Sequence, residues 1–312
     1  MTTRNDTALQ AMTSTIKTLL SNNSKSIIVD NRYEIKKKID EGTYAKVYLA
    51  HDWQQNGKEV VIKILRQRAY VKAKDKAQIK KEIDNHAKLN HQNVIRMQGH
   101  GLKAPMCIKG VLDTERTFVY LTTEYLGRDY INFYDLIKNS TGQGFGENAG
   151  RFFLLQMLDA LEYLHNQAGV VHRDLKLENI LIDKNVNFKL IDFGLSDSGN
   201  LKCLQGAVGS PSYVAPEVLE HATYDGSKVD IFSMGVLLFI IVQGQFPHGT
   251  KILKDKYYAM IKNRQYEAYF NAVDSQGLSS EFKDLIVRLL DYVPSKRPSI
   301  AQIRQHTYLL GA

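Results

Sequence analysis

The sequence predicts an α+β fold of two lobes, a small antiparallel β lobe with one main helix and a mainly α-helical lobe after it. Three observations indicate this. Strand-like segments separated by turn residues fill residues 33–65, one helical pattern follows at 74–90, and helical periodicity dominates beyond Gly127. A chain of 312 residues, 44% of them hydrophobic, is long enough to build two packed cores.

The elements of the first lobe follow one another closely. Its predicted strands lie at 33–39, 47–50, 60–65, 96–100 and 118–124. The turn signals Glu41-Gly42 and Asn56-Gly57 separate the first three, which predicts an antiparallel meander. The 74–90 helix repeats Ile79, Ile83, His86 and Leu89 along one face. Residues 1–30 are rich in Ser, Thr and Asn and are predicted to be a polar extension ahead of a domain at 31–310.

The second lobe is predicted to be helical, with its longest patterns at 148–167, 228–243 and 279–290. Short apolar pieces at 180–182 and 188–191 interrupt these patterns among clustered charges. Because charges between short buried strands usually belong to a site, we expect functional residues there.

Composition narrows the function. Forty-one Lys and Arg against 33 Asp and Glu leave a net charge of +8, which favours an anionic partner such as nucleic acid, a membrane surface or phosphate. Two cysteines exclude a disulfide framework, though not a single bridge, and suit a reducing compartment. The most apolar run, 231–242, has 12 residues where a membrane span needs roughly 20, so it predicts a buried helix. We expect no membrane span and a cytoplasmic location, with the nucleus as a possible additional one.

Four motifs occur in a fixed order. They are Val60-Val61-Ile62-Lys63, then His172-Arg173-Asp174-Leu175-Lys176-Leu177-Glu178-Asn179, then Asp192-Phe193-Gly194, then Ala215-Pro216-Glu217. Each is weak alone, but together they resemble the eukaryotic protein kinase family over about residues 33–309. The chain is most similar to the serine/threonine type, in the calmodulin-dependent and metabolic-sensor group. The resemblance implies a bilobal protein kinase-like fold, with an N-lobe at 31–123, a hinge at 124–127 and a C-lobe at 128–310.

The same resemblance implies roles for single residues. Phosphoryl transfer needs positioning and neutralised charge more than covalent work by the protein. Asp174 would be the catalytic base, with Lys176 on the γ-phosphate, and Ser210 would support the choice of Ser or Thr. Lys63, paired with Glu82, would bind the α and β phosphates. The magnesium ligands would be Asn179 and Asp192.

The resemblance also implies an ATP site. Its phosphate loop would be Ile39, Asp40, Glu41, Gly42, Thr43, Tyr44, Ala45 and Lys46. Its adenine contacts would be Val47, Val61 and Leu181, with Thr123 as gatekeeper and Glu124, Tyr125 and Leu126 as hinge. Three supports complete the set, namely Asp230 under the catalytic loop, a buried Glu217–Arg297 pair, and Phe232 where the family usually has Trp. His86 is predicted to be a packed neutral core histidine, with a pH switch as the alternative.

Two departures from the family pattern bear on activity. Only the middle glycine of the phosphate loop, Gly42, is kept, and Asp40 places a negative charge there, which predicts weaker ATP binding. Gly206 stands where relatives carry a phosphorylated Thr, so Arg173 is expected to lack its phosphate partner. Asp197 is the one acid between Phe193 and Pro216. Either the segment is ordered by its own packing and the enzyme is constitutively active, or a partner orders it.

Partners and alternatives stay open at this stage. Protein substrates with Ser or Thr acceptors are expected, and Glu178 favours basic motifs, although Ile240 stands where a second acid is often found. Residues 66–81 hold seven basic residues and one acid, which indicates either a solvated helix face or a docking surface for an acidic partner. Nucleic acid is not expected. The alternatives to a protein kinase are a pseudokinase scaffold and, less favoured, a small-molecule kinase.

Overall fold

A computed structural model describes residues 27–42, 45–66, 73–108, 111–140 and 142–311, except for the side chains of 73–75 and 113–116. Thr43 and Tyr44, most of the predicted extension and much of the basic 66–81 segment therefore lie outside the described residues. The chain divides into two compact units. The N-terminal unit comprises Met1–Ile83 and Arg96–Tyr125, and the C-terminal unit comprises Asp84–Ile95 and Leu126–Ala312.

The strands of the N-terminal unit form a closed antiparallel barrel in the order β1-β2-β3-β4-β6-β5. The strands are β1 (Ile27–Val29), β2 (Tyr33–Glu41), β3 (Ala45–Asp52), β4 (Lys58–Leu65), β5 (Met97–Ile108) and β6 (Val111–Glu124). This confirms the predicted antiparallel β lobe and lengthens its last two strands.

β1 corrects the predicted extension at 1–30. Ile27, Ile28 and Val29 pair with β2 on one side and with β5 on the other, so they close the barrel. Val29 is fully buried in the barrel core. Three apolar residues at the end of a polar stretch are too short a run to stand out as a strand in the sequence.

The two faces of β4 have different neighbours because side chains alternate along a strand. Val60, Ile62 and Ile64 point into the barrel core. The opposite face includes Leu65, which packs with Ile79 and Ile83 of helix α1 (Ala73–Ala87). Packing against α1 therefore orients Lys63, which lies on this outer face two residues before Leu65.

The C-terminal unit is mainly helical, as predicted. Its helices are α2 (Phe133–Asn139), α3 (Gly146–Glu162), α4 (Pro216–Glu220), α5 (Gly226–Gln243), α6 (Lys256–Lys262), α7 (Tyr266–Val273), α8 (Ser280–Leu289), α9 (Ile300–Arg304) and α10 (Thr307–Leu310). Its strands are β7 (Tyr130–Asn132), β8 (Ile180–Asp183), β9 (Phe188–Leu190), β10 (Leu204–Gln205) and β11 (Thr223–Tyr224). β7, β8 and β9 form a three-stranded sheet, and β10 pairs with β11.

Helix α5 is the centre of this unit. Asp225 caps its N-terminus by accepting from the backbone N–H groups of Ser227 and Lys228, and Gly244 ends it in the left-handed conformation. Among the described residues, α5 is the helix long and apolar enough to cross a membrane, but 89% of that window is buried inside the protein. Its apolar character is therefore that of a core helix, as the sequence predicts.

Candidate active site

The predicted lysine–glutamate pair is formed within the N-terminal unit. Lys63 Nζ lies 3.1 Å from Glu82 Oε1. Glu82 is only 7% exposed and sits next to the buried Ile83 on α1. Helix packing therefore places the carboxylate beside the strand lysine.

The predicted adenine contacts of the N-terminal unit share the outer face of the barrel. Val47 pairs with Lys63, and Val61 pairs with Thr123. The side chains of Val47, Val61 and Thr123 are partly exposed. Leu181 lies on β8 of the C-terminal unit and is also partly exposed. Glu124 ends β6, and its backbone N–H donates to Arg96 O over 3.0 Å.

The predicted phosphate loop is the β2–β3 hairpin. Gly42 N donates to Ala45 O over 2.9 Å, and Asp40 Oδ1 accepts from Glu41 N over 2.7 Å. Ile39 is 49% exposed. Glu41 binds three cations, Lys38 at 2.9 Å, Lys46 at 3.7 Å and Arg66. The hydrogen bond from Lys38 holds the pKa of the Glu41 carboxyl below its usual value.

Asp174, Lys176 and Ser210 form a closed triangle in the C-terminal unit. Ser210 Oγ donates to Asp174 Oδ1 over 2.8 Å and accepts from Lys176 Nζ over 3.0 Å. Lys176 Nζ also lies 2.8 Å from Asp174 Oδ2. The three residues assigned to hydroxyl chemistry are therefore brought together, and a serine hydroxyl already donates to the predicted base.

Asn179 and Asp192 lie at the same end of the β8–β9 hairpin, since Asn179 precedes β8 and Asp192 follows β9. Ile191 N donates to Asn179 O over 2.9 Å. Asn179 Nδ2 donates to the carbonyl and carboxylate of Asp174, at 2.9 and 3.1 Å, so the amide oxygen is the atom suited to a cation. Asp192 is exposed.

These two residues fit Mg²⁺. In the described part of the chain no group of three or more His, Cys, Asp or Glu side chains could hold a metal ion alone. An exposed carboxylate and an amide oxygen suit an ion that takes its other ligands from water and substrate phosphates, which is how Mg²⁺ is usually bound.

Asp230 of α5 holds the backbone of the catalytic loop. Its carboxylate accepts from His172 N at 2.9 Å, Arg173 N at 2.8 Å and His165 Nε2 at 2.8 Å. Burial alone would raise the pKa of Asp230, but the hydrogen bond and charge of His165 and the bond from His172 N bring it below the usual value. His165 lies in the π-helical turn (Tyr163–Ala168) that follows α3.

Arg173 has a carboxylate partner in place of the phosphate that it was expected to lack. Its Nη2 lies 3.2 Å from Asp197 Oδ2, with the two side chains 5% and 10% exposed. Its Nε donates to Leu195 O over 2.7 Å, and its Nη1 donates to Tyr224 Oη over 3.3 Å. Asp197 can therefore neutralise Arg173 without a phosphate at position 206.

His86 is a core histidine, as predicted. It is 4% exposed, its Nε2 lies 2.9 Å from Ile95 O, and its ring packs 4.8 Å from that of Phe193. The ring of Phe193 also lies near that of His172, with the centroids 4.9 Å apart. Burial lowers the pKa of His172. Phe193 therefore packs against two imidazoles.

The predicted Glu217–Arg297 pair is bidentate and buried. Arg297 Nη1 and Nη2 donate to the two carboxylate oxygens over 2.6 and 2.7 Å. Its guanidinium carbon lies 4.8 Å above the ring of Phe232, so the aromatic that replaces Trp keeps a stacking role.

Sequence reasoning missed two residues of this network. Nothing in the sequence marks Tyr224, whose hydroxyl bonds both Arg173 and Gly206 O. Nothing in the sequence marks His165 as a partner of Asp230 either, because His165 lies in a π-helical turn that the residue pattern does not reveal.

Comparison with known proteins agrees with the fold. The family model described as "Protein kinase domain" matches residues 33–309. CBL-interacting protein kinase 26 of Oryza sativa subsp. japonica is 33% identical over 289 residues, covering 91% of this chain and 53% of that protein. CBL-interacting serine/threonine-protein kinase 8 of Arabidopsis thaliana is 34% identical over 281 residues, covering 89% of this chain and 58% of that protein.

Within the N-terminal unit a strand lysine is paired with a helix glutamate, and within the C-terminal unit Asp174, Lys176 and Ser210 form a triangle. With the family model matching most of its length, the chain belongs to the protein kinase domain family. It spans little more than half the length of the curated relatives it matches.

Proposed function

We propose that this chain transfers the γ-phosphoryl group of ATP to Ser or Thr hydroxyls of proteins, with Mg²⁺ as cofactor. The triangle of Asp174, Lys176 and Ser210 carries the proposal. A carboxylate that already accepts from a hydroxyl at 2.8 Å has the geometry a base needs toward a substrate hydroxyl.

The roles of the residues follow from their chemistry. The substrate oxygen forms the new P–O bond, its proton passes to Asp174, and the ADP oxygen leaves. Lys176 supplies positive charge for the γ-phosphate, and Lys63, oriented by Glu82, does so for the α and β phosphates. Asn179 and Asp192 hold Mg²⁺, which neutralises phosphate oxygens when it is bound.

The adenine would lie against Val47, Val61 and Leu181, with Thr123 as gatekeeper and the backbone of Glu124 and Leu126 as its polar partners. The phosphate loop from Ile39 to Lys46 would cover the phosphates. Partial exposure of all three apolar contacts supports this, since an apolar ligand surface has to be open to its ligand.

A pseudokinase is not favoured. The six residues on which turnover depends are all kept: Lys63, Glu82, Asp174, Lys176, Asn179 and Asp192. Lys63 pairs with Glu82 in the N-terminal unit, and Asp174 contacts Lys176 and Asn179 in the C-terminal unit, which supports turnover.

We also propose that the enzyme needs no phosphate at position 206. Gly206 cannot be phosphorylated, and Arg173, which would otherwise need that phosphate, is already paired with Asp197. This favours a segment ordered by its own packing over one ordered by a partner.

The proposals on substrate and partner choice rest on the exposure of single charged residues. Glu178 is exposed and supports a preference for basic motifs, whereas Ile240 is 2% exposed and cannot add a second contact. Lys76 and Lys80 are exposed on α1, which keeps an acidic docking partner as a proposal for the 66–81 segment. The relatives are named as CBL-interacting, but the match covers only part of them, so that interaction is not assigned to this chain.

Two unpaired cysteines among the described residues, Cys107 and Cys203, support an intracellular location.

Turnover of phosphatase-treated protein made in bacteria tests the proposal, with a generic basic protein as substrate. We expect activity in the wild type and a loss of about a thousandfold in Asp174→Asn, since a positioned base contributes roughly 10²–10⁴-fold. Asp183→Asn is the control, because the described hydrogen bonds of the Asp183 carboxylate stay within the β8–β9 turn. Equal signal from wild type and Asp174→Asn would refute kinase activity. Activity that appears only after a partner is added would refute the phosphate-free part alone.

A further inference from the structure

Arg173 is a buried cation directly beside the proposed base. Its side chain is 5% exposed, and its backbone adopts a left-handed φ of +65°, which costs a non-glycine residue free energy. A buried guanidinium is strongly unfavourable unless an anion and hydrogen-bond acceptors surround it. Whatever neutralises Arg173 therefore influences where Asp174 lies.

Asp197 supplies the anion, and its own position is fixed from several sides. One carboxylate oxygen lies 3.2 Å from Arg173 Nη2, and the other accepts from Gly199 N over 2.9 Å. Its backbone exchanges two hydrogen bonds with Val171, at 2.9 and 3.0 Å. The preceding residue, Ser196, is fully buried and accepts from Asn85 Nδ2 over 3.2 Å. The carboxylate is thus held in place for the guanidinium.

Tyr224 extends this link to Gly206. Its hydroxyl accepts from Arg173 Nη1 over 3.3 Å and donates to Gly206 O over 2.9 Å. Gly206 has a φ of +88°, in the region that disfavours a Thr side chain. In this conformation the segment cannot readily present a phosphorylated Thr at that position, and the negative charge comes from Asp197 instead.

The segment that contains Gly206 returns to the base four residues later, at Ser210, which donates to Asp174. The 195–210 segment therefore reaches Asp174 by two routes, through the neighbouring Arg173 and directly through Ser210. We infer that Asp197 is a positioning residue for Asp174, and that it keeps the 195–210 segment in place by neutralising Arg173. This inference rests on the proposed function.

The test compares Asp197→Asn with Asp274→Asn. Both remove a carboxylate of similar exposure, 10% and 11%, from an ion pair, but Asp274 pairs with Lys283. We expect Asp197→Asn to lower kcat roughly a hundredfold, because a displacement of a catalytic group by about 1 Å can cost that much. The KM for ATP should stay unchanged, and Asp197→Glu should restore part of kcat. Asp274→Asn should lose stability without losing kcat.

Two further measurements separate positioning from general stability. In an Arg173→Gln background, Asp197→Asn should cost no additional kcat, since the arginine through which it acts is gone. Amide hydrogen exchange over residues 195–210 should accelerate in Asp197→Asn and not in Asp274→Asn.

If the wild type is active, full kcat in Asp197→Asn would overturn the inference, and so would additive losses in the double variant. Either result would leave the proposed function intact. Hydrogen exchange needs no turnover. If the wild type proves inactive, unchanged exchange in Asp197→Asn would overturn the inference, and accelerated exchange at 195–210 would support it.

Discussion

One buried carboxylate, that of Asp230, holds the backbone just before Asp174 in place. Asp230 is fully buried, yet it accepts three hydrogen bonds, two of them from the backbone just before Asp174. An ionised carboxylate in such a place is tolerated because its acceptor capacity is used. Its hydrogen bonds stabilise the charged form, so they also make the loop sensitive to acid.

Asp230→Asn is expected to lower the free energy of unfolding at pH 7 by about 1.5–3 kcal/mol, the range for hydrogen bonds to a charged group. The pKa of Asp230 is lowered by folding from its ordinary value of 3.8. The stabilisation is therefore complete above about pH 4 and is lost as the pH falls through the lower folded pKa. Urea unfolding at pH 7 and at pH 3 measures the difference. A gap between wild type and variant that stays constant would contradict this assignment of the charge.

At the scale of residues, the sequence predicted single supporting residues better than it predicted which side chains contact one another. Asp230, Ser210 and the Glu217–Arg297 pair all occur where the resemblance implies. The Arg173–Asp197 pair was not foreseen, because Asp197 lies 24 residues from Arg173 and only the Val171–Asp197 bridge brings them together. A pairing that depends on backbone register is not visible in a residue pattern.

At the scale of elements, the β2–β3 hairpin treats its two acidic residues differently. Glu41 is surrounded by Lys38, Lys46 and Arg66, so its charge is locally neutralised. Asp40 makes its bond to the backbone of Glu41 instead. The described contacts thus leave Asp40 as the acid of the loop that repels a polyanion.

Asp40→Gly is expected to lower the KM for ATP by no more than about fivefold, since an exposed charge repels at roughly 1 kcal/mol or less. Asp40→Asn is the matched control, because it removes the charge and keeps an acceptor for Glu41 N. Steady-state kinetics at varied ATP concentration measures both. A lower KM in the glycine variant alone would assign the effect to backbone freedom, and an unchanged KM in both would disprove a role for the Asp40 charge.

Most elements were predictable because their patterns are long. The amphipathic face of α1 and the apolar length of α5 both appear in the sequence, and their bounds differ from prediction by only a few residues. β1 was not predictable, since three apolar residues say nothing of the partner strands that close the barrel.

For the whole molecule, each unit has its own core and its own share of the proposed nucleotide ligands. Lys63 belongs to the N-terminal unit, and Asp192 to the C-terminal unit. The order of the motifs along the chain also places these two residues in different predicted lobes. Side-chain roles toward ATP depend on the ligand itself and stay predictions.

Mg²⁺-ATP at about a hundred times its Kd should raise the free energy of unfolding by about 2.7 kcal/mol, or Tm by roughly 5–10 °C. Lys63→Met and Asp192→Asn should each reduce this shift, because each removes a proposed ligand of the phosphates or of Mg²⁺. Chelating Mg²⁺ with EDTA should reduce it in the wild type and have less effect in Asp192→Asn, which has already lost a metal ligand. Asp183→Asn should shift as the wild type does, since its described bonds stay within a turn. Full shifts in both ligand variants would show that the nucleotide binds elsewhere, whereas a normal shift in Asp174→Asn would separate binding from turnover and leave Asp174 with the chemical step alone.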